Sequence, residues 1–252
     1  MEHKAQKQYG QNFLVNEDIC RIISSYLSNE VNNVLEVGPG LGALTKYLAK
    51  KYTTLTGVEI DRNLYAKLVI EYPNVKFIND NIKKIDISSY DLIVGNIPYN
   101  ITTELILKCI KEGTTAQEIV FMVQEEAYKR IVIAKDKTEH TPLSTLINMY
   151  FNQSLLLRVN RSEFNPRPHV DSVVFKLEKK KEDLKYSPAE IYSFLLILYS
   201  SRRKNILNNL IKKFNKDKLK EILLKLNVPE NLRAEDLTNL QIVSLYSELV
   251  LK

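Results

Sequence analysis

The sequence predicts a doubly wound α/β fold, a mostly parallel sheet flanked by helices, followed by a small all-helical C-terminal domain. Three observations lead to this expectation. Short apolar strands alternate with helical segments from residue 33 to residue 123. A glycine turn, Gly38-Pro39-Gly40-Leu41-Gly42, directly follows the first of those strands. Beyond a charged linker at residues 178–183, strands give way to helical periodicity. The boundary is placed there, with residues 1–182 as the first domain and 183–252 as the second.

The elements follow in order. Asn16 before Glu17 and Asp18 is a helix start, with Ile19, Ile22, Ile23 and Tyr26 then recurring on one face. Residues 33–37 read as a strand, and the glycine turn leads into a helix through Lys51 with Leu44, Tyr47 and Leu48 inward. The alternation continues with strand 53–59, helix 62–71, strands 75–78 and 91–95, helix 102–110 and strand 119–123. Residues 155–159 and 172–177 flank a turn containing Pro166 and Pro168, and read as a closing β-hairpin at the sheet edge.

At 252 residues and 44% hydrophobic, the chain can bury one substantial core and a smaller second one, which excludes a disordered protein. The net charge of +6 points to a polyanionic partner, although coding bias also produces basic chains. Residues 183–252 hold 12 Lys/Arg against 8 Asp/Glu, so the helical tail carries most of the excess. Cys20 and Cys109 lack metal or disulfide spacing and read as buried thiols of a reducing interior. No apolar run reaches the ~20 residues of a membrane span, and the polar start has no signal core, so the expectation is a cytoplasmic protein. His3, His140 and His169 have no ligand spacing, and no metal site is expected. Monomer is the default state.

Glycines after a first strand let the backbone approach a ligand at the carboxyl edge of a doubly wound sheet, which makes Gly38 and Gly40 cofactor candidates. Their spacing, with Glu36 inside the preceding strand, is not the G-x-G-x-x-G of a pyrophosphate cradle. A turn that merely tightens a βα connection has the same appearance. Glu59 ends the second strand, where a carboxylate accepts both hydroxyls of a ribose. Asp80-Asn81 follow the third, where carboxylate and amide groups read an adenine edge. Each acid alone also reads as a helix cap; together with Gly38 they describe an adenosine pocket.

The sharpest signal is Asn96-Ile97-Pro98-Tyr99, directly after strand 91–95. An Asn side-chain oxygen and the carbonyl before a proline each accept a hydrogen from an aromatic amine, holding the base planar to the ring of Tyr99. Such an amine is a poor nucleophile because its lone pair delocalises into the base. Drawing its hydrogens out of the plane localises that pair, and orientation supplies much of the rate. No general base is needed, since the adeninium product is acidic enough to lose its proton to water. A plain turn after a strand is the other reading of these four residues.

These four residues, the turn Glu36-Val37-Gly38-Pro39-Gly40-Leu41-Gly42 and the opening Gly10-Gln11-Asn12-Phe13-Leu14 closely resemble the ribosomal RNA adenine dimethyltransferases, which include KsgA-type small-subunit and Erm-type large-subunit enzymes. The resemblance runs nearly end to end and implies a sheet of the class I S-adenosylmethionine-dependent methyltransferase type. It also implies that Asn12, Leu14, Gly38, Glu59, Asp80 and Asn96 contact S-adenosylmethionine, and that Asn96 and Tyr99 hold the target amine. Phe164, in Phe164-Asn165-Pro166-Arg167-Pro168, matches an aromatic that stacks the flipped base, although a core Phe at a strand start is the alternative. Val170-Asp171-Ser172, Ser201-Arg202-Arg203-Lys204, Asn208-Asn209-Leu210 and Arg233-Ala234-Glu235-Asp236-Leu237 are similar to the KsgA type. His169 stands where that pattern often carries Lys, and Ile97 where it usually has Leu.

From Arg202 to Lys220 there are eight Lys/Arg and one acid, Asp217, interleaved with Ile206, Leu207, Leu210, Ile211, Phe214 and Leu219 at helical spacing. The apolar face packs, and the basic face is free for the phosphates of ribosomal RNA, within a small-subunit particle. Three other readings stay open: an Erm-type enzyme, methylation of a protein glutamine or DNA adenine, and an assembly factor for which methylation is incidental.

Overall fold

The computed structural model describes residues 10–112, 115–131, 140–182 and 184–251, so His3, Asp183 and the polar start before residue 10 lie outside the described residues. The described residues fall into two compact units, those within Met1–Tyr128 and Asn152–Lys179 and those within Lys129–Phe151 and Lys180–Lys252. Residues 129–131 and 140–151 group with the C-terminal helices rather than with the sheet.

In the first unit, seven strands among the described residues form one sheet: β2 (Val34–Val37), β3 (Leu55–Val58), β4 (Lys76–Ile78), β5 (Leu92–Asn96), β6 (Glu118–Gln124), β7 (Phe151–Val159) and β9 (Ser172–Lys179). Their order is β4-β3-β2-β5-β6-β9-β7. Strands β4 to β6 pair in parallel, and β9 runs antiparallel to β6. Every residue of β2 and β3 is buried, as expected of strands covered on both faces. Helices α2 (Thr45–Lys51), α3 (Arg62–Glu71) and α4 (Thr102–Glu112) make the crossovers β2–β3, β3–β4 and β5–β6. The doubly wound reading is what the structure has.

Helix α1 (Glu17–Tyr26) is capped by Asn16, whose side-chain oxygen accepts from the N–H groups of Asp18 and Ile19. Its buried stripe is Cys20, Ile23, Ser24 and the following Leu27, with Ile22 and Tyr26 exposed. The stripe is thus rotated from the predicted one, because Cys20 and Ser24 count as core here. The expected hairpin is also more elaborate. Strands β7 and β9 are neighbours at the sheet edge, but their connection contains β8 (Phe164–Asn165), which pairs antiparallel with β1 (Phe13–Leu14) in a separate two-stranded sheet.

In the second unit, α6 (Pro142–Tyr150) is apolar on nearly every side and packs against α7 (Pro188–Leu198). Hydrogen bonds join them to their surroundings: Thr145 and Tyr199 share one of 2.8 Å, and the Tyr150 hydroxyl donates to the Tyr186 carbonyl at 2.7 Å. This packing is the reason the segment leaves the sheet unit. The basic stretch 202–220 is not one amphipathic helix. It forms α8 (Ile206–Leu210) and α9 (Lys216–Lys225), split at Asn215, which caps α9. Ile206, Leu210 and Leu219 are buried as expected, while Ile211 is exposed. Helix α10 (Asn239–Val250) closes the unit and packs on α7 and α9.

Candidate active site

Parallel register assembles one edge of the site. Val37 of β2 stands beside Val58 of β3 and Gly95 of β5, and Val58 stands beside Ile78 of β4. The next residues along each strand, Gly38, Glu59 and Asn96, therefore emerge in one row, with Asp80 two residues beyond Ile78. The row sits where the strand order reverses, between β2 and β5, the place where open α/β sheets bind ligands. Close approach of these strands requires Gly95, since a β-carbon there would lie 2.4 Å from the Val37 carbonyl oxygen.

A cavity of about 430 Å³ opens at this row, and Asn12, Leu14, Gly38, Glu59, Asp80, Asn96, Tyr99 and Phe164 all line it. Its size suits a small-molecule ligand. Gly38 shows how open the cradle is: a β-carbon built there would enter the space with only the Asn96 main-chain oxygen, 4.0 Å away, near it. Its φ of +66° also excludes most side chains. The residues thus fit a nucleoside-bearing ligand, with a carboxylate for its hydroxyls and bare backbone beside it.

The carboxylate of Glu59 is buried and accepts from the N–H groups of Gly40 (3.0 Å) and Asp61 (2.9 Å). Burial raises its pKa above the ordinary value, opposed by those two donors. Asp80 is exposed and accepts from the Asn81 N–H, while the Asn81 side chain caps a short 3-10 turn at Ile82–Lys84 rather than pointing freely at a ligand. Asn96 donates through Nδ2 to the main-chain oxygen of Asn12 at 3.0 Å, which leaves Oδ1 as the acceptor on the other side of the amide.

The two aromatics differ sharply. Tyr99 is 59% exposed, whereas Phe164 is only 5% exposed and sits opposite Leu14 in the β1–β8 pair, within the hydrophobic core cluster. Phe164 is a wall of the cavity. Glu36, the acid inside the first of the parallel strands, also lines it. It is buried, accepts a 2.7 Å hydrogen bond from the Thr45 hydroxyl, and its carboxyl is pushed up to about 8 by burial. An acid in an otherwise apolar strand was the signal. Among the described residues, no group of three or more His, Cys, Asp or Glu could hold a metal ion. No helix there is long and apolar enough to cross a membrane.

The family described as ribosomal RNA adenine dimethylase matches residues 2–250. The chain belongs to this family. Curated relatives named ribosomal RNA small subunit methyltransferase A include one from Mycoplasmopsis pulmonis, 37% identical over 98% of this chain and 99% of its own length. A second, from Metamycoplasma arthritidis, is 34% identical over 99% and 98%. Among solved structures, a dimethyladenosine transferase from Plasmodium falciparum superposes with a TM-score of 0.79 at 25% identity, covering 92% of this chain and 95% of that one. The 23S rRNA methyltransferase ErmE, at 24% identity and a TM-score of 0.68 over 94% and 99%, shows the shared fold. This rRNA adenine dimethylase is an S-adenosylmethionine-dependent methyltransferase.

Proposed function

We propose that the enzyme dimethylates adenine at N6 in small-subunit ribosomal RNA, acting as a monomer in the cytoplasm on RNA within a small-subunit particle. The observation that carries the chemistry is Asn96, whose amide is oriented by Asn12 at the sheet edge shared with Gly38 and Glu59. The names of the relatives support the small subunit as target.

Bound S-adenosylmethionine supplies an electrophilic methyl group. Glu59 holds the ribose hydroxyls, Gly38 leaves room for close backbone contact, and Asn12, Leu14 and Asp80 complete the pocket around the cofactor. Asn96 Oδ1 and the Ile97 carbonyl accept the two hydrogens of the target amine, while Tyr99 stacks on the flipped adenine. Phe164, buried behind Leu14, packs the wall against which the base rests. Held this way, the amine presents its lone pair in line, orientation supplies much of the rate, and the methylated amine gives its proton to water. The exposed Arg202, Arg203 and Lys204, with the lysines of α9, contact RNA phosphates.

Small- and large-subunit particles lacking their native adenine methylation, incubated with labelled S-adenosylmethionine, test the reading. Label in small-subunit RNA as dimethyladenosine is expected. Label confined to large-subunit RNA would assign the Erm-type activity instead, and absence of label in both would favour an assembly factor.

A further inference from the structure

Residues 10–14 touch each part of the site in turn. Gln11 Nε2 donates to Asp61 Oδ2 at 3.3 Å, and Asp61 is a buried residue that caps α3 and gives its own N–H to Glu59. The main-chain oxygen of Asn12 receives the Asn96 amide. The Phe13 ring covers Gly40, where a β-carbon would come within 3.1 Å of it, and Gly40 in turn donates to Glu59. Phe13 and Leu14 then pair with Asn165 and Phe164, and the Val15 N–H donates to the Glu163 carbonyl at 2.9 Å. One short segment therefore closes a circuit of hydrogen bonds between the acid that faces the ribose and the amide that faces the base.

We propose that Gln11 is a positioning residue for methyl transfer: its tie to Asp61 fixes the Asn12 carbonyl, and that carbonyl selects which face of the Asn96 amide meets the target amine. The physical reason lies in the symmetry of the amide. Without a fixed acceptor for Nδ2, Asn96 rotates between two states of similar shape, and in one of them it presents a donor to a group that is itself a donor. The β1–β8 pairing anchors the segment from one end. Gln11 anchors it from the other, on the far side of Asn12, so the carbonyl is held from both directions. The proposal rests on the reading of Asn96 as the amine acceptor.

The test is Gln11→Leu, which keeps bulk and loses the donor, with Gln11→Lys, whose ammonium restores a donor toward Asp61. Single-turnover transfer to small-subunit particles, at saturating cofactor and RNA, is expected to fall about tenfold in Gln11→Leu. Cofactor Kd should move by less than about threefold, so that the loss is in the chemical step. Gln11→Lys should recover most of the rate. A loss of affinity as large as the loss of rate would make Gln11 a mere part of the binding wall, and an unchanged rate would remove it from the reaction; either result overturns the proposal. Asn96→Ala, measured alongside, separates the two readings. Undiminished transfer in that variant defeats the assignment of Asn96 itself, whereas its loss with an indifferent Gln11→Leu defeats the positioning role alone.

Discussion

A carboxyl buried as completely as that of Glu36 titrates far above its usual range, and this has a consequence for stability. The unfolded chain releases the proton near the ordinary value of 4.5, the folded one near 8. The stabilisation from the neutral buried acid is therefore complete below about pH 4.5 and is lost as pH rises toward 8. Neighbouring Glu59 disfavours the charge further, and the Thr45 hydroxyl, which donates to Glu36, partly offsets it. Glu36→Gln should thus gain relative stability between pH 5 and 8, on the order of a few kcal/mol. Urea unfolding of the ligand-free protein and the variant across that range checks it; a difference that stays flat with pH contradicts the account. At this scale the sequence was most readable at strand ends. Glu59 and Asn96 announce themselves by following apolar runs. The burial of Phe164 stood only as the alternative to a stacking role, because a two-residue strand has no periodicity to show which side of it is covered.

Strands buried throughout, such as β2 and β3, were legible as short apolar runs closed by turns, and helices where one face is apolar. Helix α3 runs over Arg62–Glu71 as the sequence reading placed it, between a capping Asp61 and a polar end. Helix α6 escaped that reading because a helix apolar all round has no stripe, although Thr141 and Ser144 form a capping box with Pro142 at its first turn. The break between α8 and α9 depends on Asn215 preferring a cap to a helix interior. A different asparagine, Asn209, holds the loop that follows α7. Its Nδ2 donates to the carbonyls of Leu198 (2.7 Å) and Ser201 (3.2 Å), and its Oδ1 accepts from the Ser200 hydroxyl, so the basic run Arg202-Arg203-Lys204 starts from a fixed base. Replacing it with Ala orphans two carbonyls. Hydrogen exchange followed by peptide should then show amides of residues 195–210 opening roughly 10- to 100-fold more readily, with the central strands unchanged. Protection equal to that of the wild type would mean the side chain is dispensable to the loop.

For the whole molecule, topology explains how residues as far apart in sequence as Asn12 and Asn96 become one site. Parallel register brings the ends of β2, β3 and β5 into a row, and the strand reversal between β2 and β5 leaves a crevice there. The fold class and the row were legible, since alternation of strands and helices fixes both. The path of residues 10–14 across that row was not, because it depends on pairing with a segment some 150 residues away, as Phe13 does with Asn165. Residues 129–131 and 140–151 enter the helical unit through packing rather than composition. The central claim is that one sheet edge orients an adenine amine for methylation through Asn96. It is tested most directly by nucleoside analysis of small-subunit RNA after reaction at saturating S-adenosylmethionine, with the wild-type protein and with Asn96→Ala. N6,N6-dimethyladenosine from the wild type and at least about a hundredfold less from the variant is the predicted result. Methylation on another atom, or equal yield from Asn96→Ala, would contradict it.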